Sequence, residues 1–200
     1  GTPPLVMGLL RMGGALALGA ILNLAYGWTG LLQSSSAALW PVMPSEASLW
    51  VWTWGQLLNL ARMFVVILLL MALRRLLRWL KVLDWIERML APVLRVLGMT
   101  PAATDITVVG MLLGIGYGGG LIIGHANSGR ISKHDVFFSL ALMGFCHSLI
   151  EDTLLMAALG GHFSGIFVAR VLFALVASYI LVRLCTGLLA GAFARYICRE

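Results

Sequence analysis

Apolar residues run through this chain in long stretches, and the polar positions between them divide it into segments. Residues 5–26 form a first run long enough to cross a bilayer as a helix. Gly8, Gly13, Gly14 and Gly19 give it small-residue faces for close helix contact, and Arg11 sits near its start. Residues 56–73 predict a second span. Over 74–97 the pattern changes: Arg74, Arg75, Arg78, Lys81, Asp84, Glu87, Arg88 and Arg95 are interleaved with leucines at largely helical spacing. This predicts a basic amphipathic helix in the membrane interface at roughly 76–97, with its apolar side in lipid or on the bundle. Pro92 is placed to kink it, and Gly98 with Pro101 to end it. Residues 135–159 and 165–192 predict the last two spans, joined by a short turn.

Residues 104–126 are apolar but carry Gly110, Gly114, Gly116, Gly118, Gly119, Gly120 and Gly124. Three successive glycines weaken a helix by about 1 kcal/mol each relative to alanine. The segment therefore predicts a broken helix or a re-entrant hairpin, against the alternative of a glycine-faced full span. Irregular backbone at membrane depth is tolerated where it is buried in protein or lines water. The backbone of Gly116, Gly118, Gly119 and Gly120 is thus a candidate wall for a polar cavity. No Gly-Lys-Ser/Thr follows, so this is not a phosphate loop.

Composition sets the class. Of the 200 residues, 60% are hydrophobic and 11% charged, against about 25% charged in soluble domains. The expectation is an all-α integral membrane protein: about four transmembrane helices, the glycine-broken segment and the interfacial amphipathic helix. The net charge of +6 does not point to nucleic acid, because the basic residues flank apolar runs and suit lipid headgroups. Residues 27–55 contain no Lys or Arg and one acid, Glu46, but five of the seven tryptophans: Trp28, Trp40, Trp50, Trp52 and Trp54. They read as an outward-facing connector at the headgroup layer, so residues 1–55 form one division and 56–200 the membrane domain proper. Arg130, Lys133, Arg195 and Arg199 fall on the same inner side as 74–97 only if 104–126 enters and leaves on one side, so the charge count favours the hairpin. The expected location is a bacterial-type inner membrane, as a multi-pass protein. Cys146, Cys185 and Cys198 are isolated and suggest neither a disulfide framework nor a zinc ribbon.

The chemistry is concentrated in residues 145–153, Phe-Cys-His-Ser-Leu-Ile-Glu-Asp-Thr. Ionisable groups inside a span cost about 2.5–3.5 kcal/mol each on insertion scales, so they face a protein interior, a partner or a wet cavity. On a continuous helix His147 and Glu151 stand at i and i+4, and Ser148 and Asp152 repeat that spacing one step round. Such a stripe could bind a cation or relay protons, or form a buried hydrogen-bonded pair that fixes packing. Arg170 and Arg183 are candidates to neutralise its acids. His125 could join His147 if the broken segment packs there, with Asn127 close by. Candidate metal ligands are His125, His147 and Glu151, a set that would suit zinc or ferrous iron; a bound cation or no cofactor are both open. Ser148 adjoins His147 but lacks the elbow motif of a serine nucleophile.

Several runs occur in a telling order: Ala-Pro-Val-Leu-Arg-Val-Leu-Gly at 91–98, the glycine-rich 114–124, Gly-Arg-Ile-Ser-Lys-His-Asp at 129–135, His-Ser-Leu-Ile-Glu-Asp-Thr at 147–153, then Gly160-Gly161. Over roughly 60–190 the chain resembles the nucleoside recognition, or Gate, domain family. Relatives include spore maturation proteins A and B and the membrane gates of ferrous-iron transporter B. The resemblance implies a Gate-like domain at 56–200 in a transporter or channel-like subunit for a small polar solute or ion, nucleoside-like or cationic. It also implies a homodimer or higher oligomer, or a second Gate-type subunit, because a lone unit leaves its polar stripe open on one side. The chain departs from the family where an acid is expected after the glycine run and His125 stands instead. Two other functions stay open: a structural or assembly subunit of a larger membrane complex, and an intramembrane metal-dependent enzyme.

Overall fold

The computed structural model describes residues 4–30 and 48–187, and the regular elements there are helices: α1 (Pro4–Thr29), α2 (Leu49–Trp79), α3 (Val82–Val96), α4 (Pro101–Leu113), α5 (Ile115–Asn127), α6 (Lys133–Phe145), α7 (Leu149–Ala158) and α8 (Arg170–Thr186). A π-helical stretch, Ser164–Ala169, leads into α8. Among the described residues, four stretches are long and apolar enough to span a membrane: α1, α2, Lys133–Ala158 (α6 with α7) and Ser164–Thr186. The expected all-α membrane architecture with four spans is what the chain forms.

The second span is longer than its hydrophobic run. Leu and Arg are strong helix formers, so nothing stops α2 at residue 73. It continues through Arg74, Arg75 and Arg78 and ends where Lys81 takes a left-handed conformation (φ 57°). Those arginines therefore belong to the end of a span, and the amphipathic helix is the shorter α3. Its apolar side, with Leu83 and Leu94 buried, lies on the bundle against α4. Trp50, Trp52 and Trp54 are exposed in the first turns of α2, so only part of the expected connector is non-helical. Residues 31–47 of that connector (Trp40 and Glu46 among them) and Arg195, Cys198 and Arg199 lie outside the described residues.

α4 is the centre of the fold. Nine of its residues are buried, and it packs on α3, α5, α6 and α7. Its own Met111 and Leu112 and the surrounding Leu94, Phe137, Phe138, Leu142 and Met143 are all under 2% exposed. By contrast α1 buries no residue, and α2 buries only Gly55. Those two spans present their apolar surface outward, as lipid-facing helices do.

The glycine-broken segment is a helical hairpin. Gly114 joins α4 to α5 at φ 99°, ψ 159°, a region open essentially to glycine alone. The helices then run back along each other so closely that a Cβ on Gly118 would lie 2.5 Å from the Gly110 Cα. Entry and exit thus fall at the same end, the arrangement that the charge count favoured.

The open end of the hairpin is tied by one carboxylate. Ser132 caps α6, and Asp135 returns the bond in a capping box. The same Asp135, 2% exposed, also accepts from the Thr100 N–H (3.1 Å) and hydroxyl (3.1 Å), and Thr100 is the N-cap of α4. Two helix starts therefore share one buried acid. Higher up, the Thr107 hydroxyl donates to Ser139 Oγ at 2.7 Å and links α4 to α6. Asp135→Ala strands several of these donors, and a loss of about 2–3 kcal/mol is expected. A lowered midpoint of thermal unfolding in detergent checks it; an unchanged midpoint would show that the cap is dispensable.

Candidate functional site

The third span is interrupted where the sequence is most polar. Cys146 is extended (φ −143°, ψ 102°) and Ser148 is left-handed (φ 46°), so α6 stops at Phe145 and α7 starts at Leu149. The expected continuous stripe of His147 over Glu151 is therefore corrected. His147 lies in the break, while Glu151 and Asp152 occupy the first turn of α7. An acid is favourable there, because the free N–H groups of a helix start carry partial positive charge.

Each interrupted helix end has an arginine. The Arg74 guanidinium donates to the Leu113 carbonyl at the end of α4 (3.0 Å) and stands 3.6 Å from Glu151. Arg170 donates to the His147 carbonyl (3.1 Å) and to Asp152 Oδ2 (2.9 Å), and reaches the Phe145 carbonyl at 3.5 Å. A cation suits the carbonyl end of a helix for the reason that an acid suits the other end. Of the two arginines expected to neutralise the acids, Arg170 does so. Arg183 instead bonds the Tyr179 hydroxyl one turn away (3.1 Å) and lies over its ring.

His147 is held from two sides. Arg11 of α1 lies 3.2 Å from His147 Nε2. A guanidinium only donates, so Nε2 accepts and the ring proton sits on Nδ1. That Nδ1 is buried, makes no hydrogen bond and faces Asp152 Oδ2 at 3.7 Å. One connected set results: Arg11, His147, Asp152 and Arg170, with Arg74 and Glu151 beside it.

The two interruptions meet. A Cβ on Gly114 would lie 2.6 Å from Ser148 Oγ, so the hairpin tip is seated against the break in the third span. His147 borders an open cleft on each side. One, of ≈ 510 Å³, lies between α1 and the start of the last span and is also bordered by Arg11, Tyr26, His162 and Arg170. The other, of ≈ 900 Å³, lies between the end of α2 and the hairpin tip, bordered by Arg74, Arg75, Arg78, Gly116 and Tyr117.

Other expected members of the site lie elsewhere. His125 is in the last turns of α5, eleven residues beyond Gly114, about 16 Å along a helix axis. Its Nδ1 is 3.0 Å from the Leu121 carbonyl, and Asn127 is exposed at the end of the same helix. The helix is continuous from Ile115, so neither can fold back to His147. The expected ligand set His125, His147 and Glu151 is thus not assembled, and among the described residues no group of three His, Cys, Asp or Glu side chains is gathered as metal ligands would be. Of the glycines, Gly116 borders a cleft, Gly118 is buried in the hairpin contact, and a Cβ added at Gly119 or Gly120 would meet nothing within 4 Å.

Arg11 and Arg74 are the site residues that sequence reasoning missed. From the sequence, Arg11 is placed near the start of the first span and Arg74 in the basic stretch of 74–97. An excess of intramembrane arginines over acids was the available signal. Burial also acts outside the spans: it raises the Glu87 carboxyl of α3 above its usual range, and Asp84 and Asp105 push the same way.

These features define a multi-pass all-α membrane protein in which two interrupted helices meet at a charged, cleft-bordered junction. The chain is 26% identical over 156 residues to an uncharacterised membrane protein, YvoD, of Bacillus subtilis strain 168. The match covers 76% of this chain and 49% of that protein, so the chain spans about half the length of the relative. No protein-family profile and no solved structure matches.

Proposed function

We propose that this chain is a transporter or channel-like subunit for a small polar solute in a bacterial inner membrane. The observation that carries the reading is the junction itself: two helix interruptions in contact, with His147 bordering an open cleft on either side. Interrupted helices expose backbone dipoles inside a membrane, and transport proteins use such ends to hold solutes. A side chain between two clefts can separate the two faces in one state and join them in another. The Gate-type resemblance of residues 60–190 agrees with this reading. With the hairpin entering and leaving at one end, Arg95, Arg130 and Lys133 fall together at that end, and the positive-inside rule makes it the cytoplasmic one.

The assembled transporter contains more than this unit. The relative's greater length, and the outward apolar surfaces of α1 and α2, support a second copy or a second Gate-type unit beside it. Cross-linking in native membranes that yields only monomers would overturn that part.

Flux into proteoliposomes tests the transport reading, with nucleosides, small cations and organic anions offered under proton or sodium gradients. Glu151→Gln removes the ion pair with Arg74 while keeping size, and flux is expected to fall at least about tenfold with an unchanged gel-filtration profile. Full flux in both Glu151→Gln and Asp152→Asn would show that the charged junction is structural.

A further inference from the structure

The charges at the junction do not balance. Arg11, Arg74 and Arg170 are matched by Glu151 and Asp152, and Arg75 and Arg78 stand beside them in the larger cleft. That cleft is bordered by three arginines and His147, and by no carboxylate. Arg74 has its carbonyl and its acid. Arg78 lies over the Tyr117 ring, 5.1 Å from its centroid, and both residues border the cleft. Arg75 is exposed, and among the described residues it has no polar partner. Asp84 and Glu87 share a neighbouring pocket with Arg78 but do not border this cleft.

The cleft wall opposite the arginines adds donors of another kind. α5 begins at Gly114 with no side-chain cap, and its first internal bond is Gly118 N–H to the Gly114 carbonyl. The N–H groups of Ile115, Gly116 and Tyr117 thus have no acceptor within the helix, and Gly116 has no side chain to cover them. At ≈ 900 Å³ the cleft is far larger than a bare oxyanion, and Met71, Leu113, Ile115 and Tyr117 give it an apolar part.

We infer that this cleft binds a phosphorylated organic molecule, its phosphate held by Arg75, Arg78 and the start of α5 and its apolar body against Met71 and Ile115. Guanidinium groups match phosphate oxygens in pairs, and here the open N–H groups at the start of α5 belong to residues of the same cleft. This rests on the reading of the junction as a solute site and names the class of solute. The phosphate could belong to a soluble organophosphate or to a lipid headgroup.

The test is thermal unfolding of the full chain in lipid nanodiscs, with ionic strength held by chloride. In phosphatidylcholine discs, glycerol 3-phosphate is titrated; in a second arm phosphatidylglycerol replaces phosphatidylcholine and no soluble phosphate is added. A ligand that binds only the folded state raises the midpoint with concentration. A rise in either arm is expected, and the arm in which it occurs identifies the source. In the double variant Arg75→Gln/Arg78→Gln the apparent affinity should be about tenfold weaker or worse. The variant Arg88→Gln/Arg95→Gln, which removes equal charge from α3 away from this cleft, should respond like the parent. No rise in either arm, or an equal rise in the Arg75/Arg78 variant, overturns the site. If the rise is present but no solute crosses proteoliposomes, the transport reading fails and the anion site stands. If uncharged nucleosides cross but no rise is seen, the anion site alone fails.

Discussion

Gly118→Ala is expected to destabilise the protein strongly, while Gly119→Ala and Gly120→Ala are expected to be neutral or stabilising. The three glycines are consecutive, so local sequence predicts one outcome for all of them: alanine should strengthen the helix by about 1 kcal/mol. The tertiary contact separates them. A Cβ at 118 would lie 2.5 Å from the Gly110 Cα and 2.8 Å from the Met143 sulfur. The first of these is backbone of the central helix and cannot swing aside. α5 must move off α4, at a cost of about 1–3 kcal/mol or more for overpacking. The hairpin tip would then lose its seat against Ser148. A Cβ at 119 or 120 would have nothing within 4 Å. Midpoints of thermal unfolding for the three variants decide the matter. Equal effects at all three would mean that the hairpin contact does not exist as described.

Arg170→Met should be nearly as damaging, and Arg183→Met almost silent, although both arginines lie in the same apolar span. Arg170 is mostly covered (side chain 19% exposed) and holds Asp152 together with the carbonyl of His147. Its removal leaves a partly buried carboxylate and the end of α6 without a cation, which costs about 3 kcal/mol. Arg183 is exposed, and among the described residues its side chain bonds within its own turn, to Tyr179, so its loss should fall within about 0.5 kcal/mol. If the Arg170 cost comes from stranding Asp152, then Asp152→Leu added to Arg170→Met should recover part of it. Chemical denaturation in mild detergent measures this coupling, and strict additivity would rule out the pairing.

The spans, the amphipathic α3 and the broken glycine segment were legible because each is a local pattern: a run of apolar residues, a helical repeat, a cluster of the residue that least favours helix. Even the shared cap at Asp135 is written locally, as Ser-x-x-Asp at 132–135, although the pattern shows only half its bonds. The interruption at 146–148 was not legible. No proline or glycine occupies those three positions, apolar residues flank them on both sides, and periodicity alone extends one helix through them. What stabilises the break comes from elsewhere: the Gly114 tip against Ser148, and Arg170 on the carbonyls left open.

By itself, then, the sequence determined that this is an all-α membrane protein, where its spans fall, and that ionisable groups are kept inside it. Only the tertiary structure decided which charge meets which. Glu151 finds Arg74 from 77 positions away, His147 finds Arg11 from 136, and the i and i+4 stripe that spacing suggested is replaced by these distant pairs. The physical reason is that hydrophobic periodicity is set by each residue's near neighbours along the chain. The partner of a buried charge is set by which helix ends packing brings together, and no local pattern encodes that.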